Sequence, residues 1–78
     1  MKQQTKLKTF RQEFSLPRVS QEDMARTASV TLKTYSRAEN GGKTSYATAK
    51  AILVAVNHYR KVHKMDVLVL DDLGLNIV

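Results

Sequence analysis

The spacing of apolar positions divides most of the chain into helices. Leu7, Phe10 and Phe14 recur at i, i+3 and i+7 with charged and polar residues between them, the repeat of one buried helical face. This predicts a first helix from Lys2 to Phe14. It should stop at Ser15-Leu16-Pro17, because proline restrains the residue before it and has no N–H to donate. The run from Val19 to Met24 then carries three helix-start devices. Ser20 is an N-cap, Asp23 can return the second bond of a capping box, and Val19 and Met24 occupy the staple positions around it. Met24, Ala25 and Ala28 should face inward, with Gln21, Glu22 and Arg26 outward. Ser29-Val30-Thr31 breaks the pattern, and Thr31 can cap a further helix from about Leu32 to Asn40. Tyr35 and Ala38 form its inward pair, and Gly41-Gly42 stops it as a left-handed C-terminal cap.

A longer helix follows, capped by Thr44 or Ser45 and running to His63, with Tyr46, Ala49, Ile52, Leu53, Val56 and Tyr59 at inward spacing. Val67 to Leu70 is an apolar, β-favouring run. Asp71-Asp72-Leu73 should form a turn or one helical turn, and Leu75, Ile77 and Val78 end the chain on apolar residues. No repeat, linker or low-complexity tract interrupts this order. The expectation is one all-α domain over residues 1–78, with about four main helices plus a short C-terminal element.

Two short helices joined by a three-residue turn make a helix-turn-helix. The small side chain of Ala25 lets the second helix approach the first, and Val30 with Tyr35 can plug the angle from the other side. The outward face of the second helix is unusual for plain solvent exposure, because it carries Leu32, Lys33, Ser36 and Arg37 together.

Charge changes the meaning of that face. Thirteen lysines and arginines lie between Lys2 and Lys64 against four acids, a net charge of +9, while Met65 to Val78 carries three aspartates and no base. A basic body suggests a side that meets a polyanion, and the acidic, apolar tail a separate segment for packing or association. The absence of cysteine excludes a disulfide scaffold and thiolate metal ligation. No apolar run has the length of a signal peptide or a membrane span, so a soluble, cytoplasmic, nucleoid-associated protein is expected.

Residues 21 to 41, QEDMARTASVTLKTYSRAENG, resemble without a gap the helix-turn-helix of the Cro/C1-type (XRE-family) DNA-binding regulators, whose fold is the small lambda-repressor-like bundle. The resemblance rests on Gln21 at the first motif position, Ala25 at the fifth, Val30 in the turn, Thr31 opening the second helix, and Glu39 followed by Gly41. The motif spans 20–41, and with flanking helices the likeness covers roughly residues 5–60. It implies that the second helix enters the major groove and that its first turn touches base edges. Thr31, Leu32, Lys33, Ser36 and Arg37 are then the implied base contacts. Lys33 or Arg37 suits guanine O6 and N7, and Leu32 or the Thr31 methyl suits a thymine methyl. Gln21, Asn40, Lys43 and Arg18 are the implied phosphate contacts. Glu39 is implied to pair with Arg11 on the first helix, orienting the unit. Two departures stand out. Ser29 occupies the turn position that is usually glycine, where a left-handed backbone costs serine about 1 kcal/mol. The SLPRVS loop is also longer than usual.

Other chemistry is weaker. GGKTS ends like a phosphate-binding loop, but Arg37 stands where that pattern needs its first glycine, and a helix precedes it instead of a strand. His58 and His63 are five apart, not the four that would stack two ligands, and are expected on the surface. Asp66, Asp71 and Asp72 lack the loop pattern of a hard-cation site. No nucleophile–base pair can be assembled, so no enzyme, metal, cofactor or small-molecule ligand is expected. The tail from residue 65 to 78 either folds back over the first and fourth helices or pairs with a second chain. The expected function is sequence-specific binding of double-stranded DNA by a homodimer, as a transcriptional repressor of bacterial, phage or plasmid type. An antitoxin with a toxin partner fits the same picture. The alternatives are a protein-interaction adaptor using Leu32 and Tyr35 as an apolar patch, and non-specific coating of nucleic acid by charge.

Overall fold

A computed structural model describes residues 6–14 and 18–78. It is a small all-α bundle of four helices: α1 (Lys6–Gln12), α2 (Gln21–Ala28), α3 (Leu32–Glu39) and α4 (Tyr46–Val62), followed by a 3-10 turn at Leu70–Leu73. The part of the first helix expected before Lys6, and its expected stop at Ser15-Leu16-Pro17, lie outside the described residues. No helix among those described is long and apolar enough to cross a membrane.

The helix starts form where their caps are local. Ser20 Oγ accepts the Asp23 N–H at 3.1 Å and the Asp23 carboxylate accepts the Ser20 N–H at 3.0 Å, closing both halves of the capping box. Ser45, rather than Thr44, caps α4 by accepting the Thr48 N–H at 3.2 Å. Thr44 is instead buried in a two-residue strand, β1 (Lys43–Thr44). Gly41 ends α3 with φ of +88°, which glycine adopts without a Cβ clash.

The core is built from Leu7, Phe14, Val19, Met24, Ala25, Ala28, Tyr35, Ala38, Ile52, Ala55, Val56 and Leu73. Small residues on both partners, Ala25 and Ala28 on α2 with Ala49 and Ala55 on α4, let these two helices pack together. Tyr46 was expected inward with this set, but it is 57% exposed. It stands at the first position of α4, and its ring lies 5.6 Å from the Lys50 ammonium instead. His63 was expected on the surface, yet it lies against Phe14 with ring centroids 5.1 Å apart. Its Nδ1 is 2.8 Å from the Tyr59 carbonyl oxygen, within hydrogen-bond distance.

The tail folds back on its own chain. Leu68, Leu70 and Leu75 pack against the core and Leu73 is fully buried, with the 3-10 turn lying on α1 and α4. Of the β-favouring run Val67–Leu70, Val67 to Val69 pair with no strand among the described residues, and Leu70 opens the 3-10 turn. Asn57 takes the strand's place: its side-chain amide accepts the Leu68 N–H at 2.8 Å and donates to the Leu68 carbonyl at 3.0 Å. Arg60, buried in α4, donates to the Asp66 carbonyl and reaches Glu13 at 3.4 Å, tying the tail to the end of α1. A second short strand, β2 (Asn76–Ile77), pairs in parallel with β1, Lys43 opposite Asn76 and Thr44 opposite Ile77. The chain end is thus sewn to the segment that follows α3.

Candidate nucleic-acid interface

α2 and α3 form a unit held at its turn and at its base. Ser29 is left-handed (φ 59°, ψ 37°), and the backbone N–H of Val30 donates back to the Ala25 carbonyl at 3.0 Å. Thr31 then caps α3: its Oγ1 accepts the Thr34 N–H at 3.1 Å and lies 2.9 Å from Thr34 Oγ1. The hydroxyl is therefore engaged in the helix start. The Thr31 methyl is the part without such a task.

The base of the unit is a buried polar cluster. Glu39 is fully buried on α3 and receives two bonds from the Arg11 guanidinium, Nε to Oε2 at 2.8 Å and Nη2 to Oε1 at 2.9 Å. The Gln21 amide of α2 donates to Glu39 Oε1 at 2.9 Å. Arg11 Nη1 also reaches the Val19 carbonyl at 3.3 Å. One carboxylate thus joins α1, α2 and α3, and the forked arginine geometry fixes their relative orientation. Burial by itself raises the Glu39 carboxyl. Hydrogen bonds from Arg11 and Gln21 and the positive charge of Arg11 outweigh it, so Glu39 is held below the usual carboxylate range. The Arg11 guanidinium is pushed up, chiefly by its hydrogen bond to Glu39. The Tyr35 hydroxyl, buried beside the same carboxylate, is also pushed up, first by burial and then by the Glu39 charge.

With Tyr35, Ala38 and Glu39 turned inward, α3 leaves Leu32, Lys33, Ser36, Arg37 and its C-cap Asn40 along the opposite arc. Leu32 is 43% exposed, Ser36 is half-buried, and Lys33, Arg37 and Asn40 are exposed. Arg37 does not project freely. Its aliphatic stem crosses Gly42, where an added Cβ would lie 2.4 Å from Arg37 Cγ. The side chain therefore leans toward the C-terminal end of α3 and β1, where Lys43 is exposed and pinned by the strand pairing with Asn76.

The chain matches no family model, no curated protein and no solved structure.

The candidate residues gather at the two ends of α3 and along the arc between them. A shallow hollow of about 520 Å³ brings Arg18, Gln21 and Leu32 together with Arg11, Ser20 and Glu22, at the start of α2 and beside the first turn of α3. Arg37, Asn40 and Lys43 gather at the other end of α3. Lys33 and Ser36 lie on the arc between. Gln21 thus has a role beyond the one read from sequence, since one of its amide protons is directed at Glu39. A Gln at this position facing an acid eighteen residues on carries no local signal, because the two meet only once α2 and α3 cross. The adaptor alternative loses half of its expected patch, since Tyr35 is fully buried and only Leu32 reaches solvent.

Proposed function

We propose that this protein binds double-stranded DNA in a sequence-specific manner through α3, as a dimeric regulator acting beside DNA in the cytoplasm. The observation that carries this reading is the division of α3 into two faces. One is locked to α1 and α2 by the buried Glu39 cluster. The other presents Leu32, Lys33, Ser36 and Arg37 on a basic body. A recognition helix needs that division, because base edges are read only by side chains whose backbone is held in a fixed position. Lys33, in the first turn, is the strongest candidate for guanine O6 and N7. Leu32 and the Thr31 methyl supply apolar surface for a thymine methyl. Arg37, leaning over Gly42 toward Lys43 and Asn40, fits a phosphate of the backbone better than a base. Arg18 and Gln21 flank the hollow at the opposite end, so phosphate contacts would bracket the reading turn.

A dimer bound at a promoter would act by excluding polymerase, which makes repression the expected sign; a toxin partner belongs to the same proposal. Lys33→Ala tests the reading. It should relax preference at one base position and cost about 1–3 kcal/mol. Loss of affinity spread evenly over all sequences would leave only attraction of charge to phosphate. No change in duplex binding would remove α3 from the interface.

A further inference from the structure

The hollow at the start of α2 has an apolar wall in a polar lining. Arg11, Arg18, Ser20, Gln21, Glu22 and Leu32 surround it. Several of its polar groups are already bonded within the chain. The Arg11 guanidinium is directed at Glu39 and the Val19 carbonyl. Ser20 is closed in the capping box, and one Gln21 amide proton goes to Glu39. Arg18 differs: it is exposed, and among the described residues its guanidinium makes no ion pair. Leu32, in the first turn of α3, is the apolar side chain of the lining and is 43% exposed.

The charges here nearly cancel. Glu22 offsets Arg18, and Glu39 neutralises Arg11. Such a hollow is a poor trap for a free phosphate. Its character is an apolar surface beside one unpaired guanidinium and one amide. Among the nucleotides of a duplex, thymidine matches that combination. In the major groove guanine and adenine present N7 with a polar neighbour and cytosine an amino group, whereas thymine adds a C5 methyl. The methyl stands at the margin of the groove, on the side of the phosphate that precedes its own nucleotide.

We propose that this hollow seats one thymidine unit of the duplex, with the C5 methyl on Leu32 and the 5′ phosphate of the same nucleotide on Arg18 and the second Gln21 N–H. This seat rests on the duplex-binding reading and deepens it, because it makes one thymine methyl a determinant of the selected sequence. It assigns that methyl to Leu32 and not to Thr31. Arg18 positions the nucleotide through its phosphate and carries no base preference. Leu32 precedes Lys33 directly, so the thymine falls within about two base pairs of the position that Lys33 reads.

The test uses the full chain and duplexes drawn from the selected pool, with affinity read by fluorescence anisotropy and folding by circular dichroism. Exchanging thymine for uracil, one position at a time, removes a methyl and keeps every hydrogen-bonding group. At one position in a half-site it should weaken binding about 3–5-fold, the worth of one methyl group withdrawn from water. A 5-methylcytosine there should bind tighter than cytosine by a similar factor. In Leu32→Ala, thymine and uracil should bind alike. In Thr31→Ser, which keeps the capping hydroxyl, the preference should persist. Arg18→Ala should weaken both duplexes equally and reduce the salt dependence by about one phosphate. If Leu32→Ala fails to fold, Leu32→Gln gives the same readout.

Uracil tolerated at every position overturns the proposal. So does a thymine preference that survives the loss of Leu32, which would place the effect in the stiffness of the duplex, or one that disappears in Thr31→Ser. An Arg18→Ala chain that binds as the wild type does removes the phosphate half and is equally adverse. The two readings fail distinguishably. A chain that selects a motif but ignores its methyls loses only this seat, whereas a chain that selects no motif loses the DNA reading and this seat with it.

Discussion

Replacing Ser29 by glycine should make the protein more stable, although it removes a side chain from a tight turn. Ser29 stands at φ 59°, ψ 37°. A residue with a Cβ is disfavoured in that region by about 1–2 kcal/mol. Glycine removes this strain but has more freedom to lose on folding, which offsets roughly 0.5–1 kcal/mol of the gain. The turn's own bonds do not depend on the side chain. The Ser29 N–H donates to the Arg26 carbonyl at 3.1 Å and the Val30 N–H to Ala25 at 3.0 Å, and both are backbone groups. The balance is a net gain of about 0.5–1 kcal/mol. For a domain of 78 residues that raises the midpoint of thermal unfolding by roughly 2–8 °C. Circular dichroism melts of the wild type, Ser29→Gly and Ser29→Ala read it directly. Alanine keeps the Cβ and should show no gain. A midpoint that falls in Ser29→Gly, or rises equally in Ser29→Ala, would refute the assignment of strain to this position.

Three further outcomes are expected. Arg11→Met leaves Glu39 buried with only part of its bonding, a loss of about 3–5 kcal/mol. That is a large share of the whole stability of a domain this size, roughly 4–12 kcal/mol, so the urea midpoint should fall steeply and largely return in Arg11→Met with Glu39→Met. The folded Glu39 carboxyl is held below its unfolded value of about 4.3. Its contribution is therefore present above that pH and lost as pH falls through the folded value. A wild-type melting midpoint that falls no more steeply in acid than that of Glu39→Gln would contradict this. Asn57→Ala orphans both Leu68 backbone groups, at about 2 kcal/mol, and should speed hydrogen exchange in the tail before the rest of the fold. Uniform exchange rates would place the tail's anchor elsewhere.

The elements legible in the sequence are those whose cause is local. Ser20 and Asp23 are three residues apart, and their capping box forms as the spacing demands. A serine at the turn position that is glycine in the resembling motif left a left-handed or a reshaped turn open, and the backbone there is left-handed. The apolar period located the buried faces of the four helices, and it failed at Tyr46, which stands at the first position of α4 and is exposed. What escaped the sequence depends on groups that meet only after folding. The Asn57 side chain standing in for a strand partner, and the buried Arg60 reaching both Glu13 and Asp66, have no periodic signature. Nor does a two-residue parallel pairing such as Lys43 with Asn76, which lies far below the length at which strands declare themselves. The tail's fate was open because its apolar pattern fits both burial and association. The fold divides it, with leucines inward and valines outward.

The proposed recognition face belongs to a mixed case. Its exposed arc follows from helical spacing, but the leaning of Arg37 across Gly42 and the tie between Gln21 and Glu39 are tertiary. They assign Arg37 to the flank and leave Lys33 as the residue on which base preference should depend.

The most direct measurement is selection of bound duplexes from a random pool at near-physiological salt, read by sequencing. A two-fold symmetric motif with half-sites about 34 Å apart, roughly one helical turn, is the expected result. Enrichment of no motif, with retention that disappears as salt rises, would contradict the reading of α3 as a recognition helix.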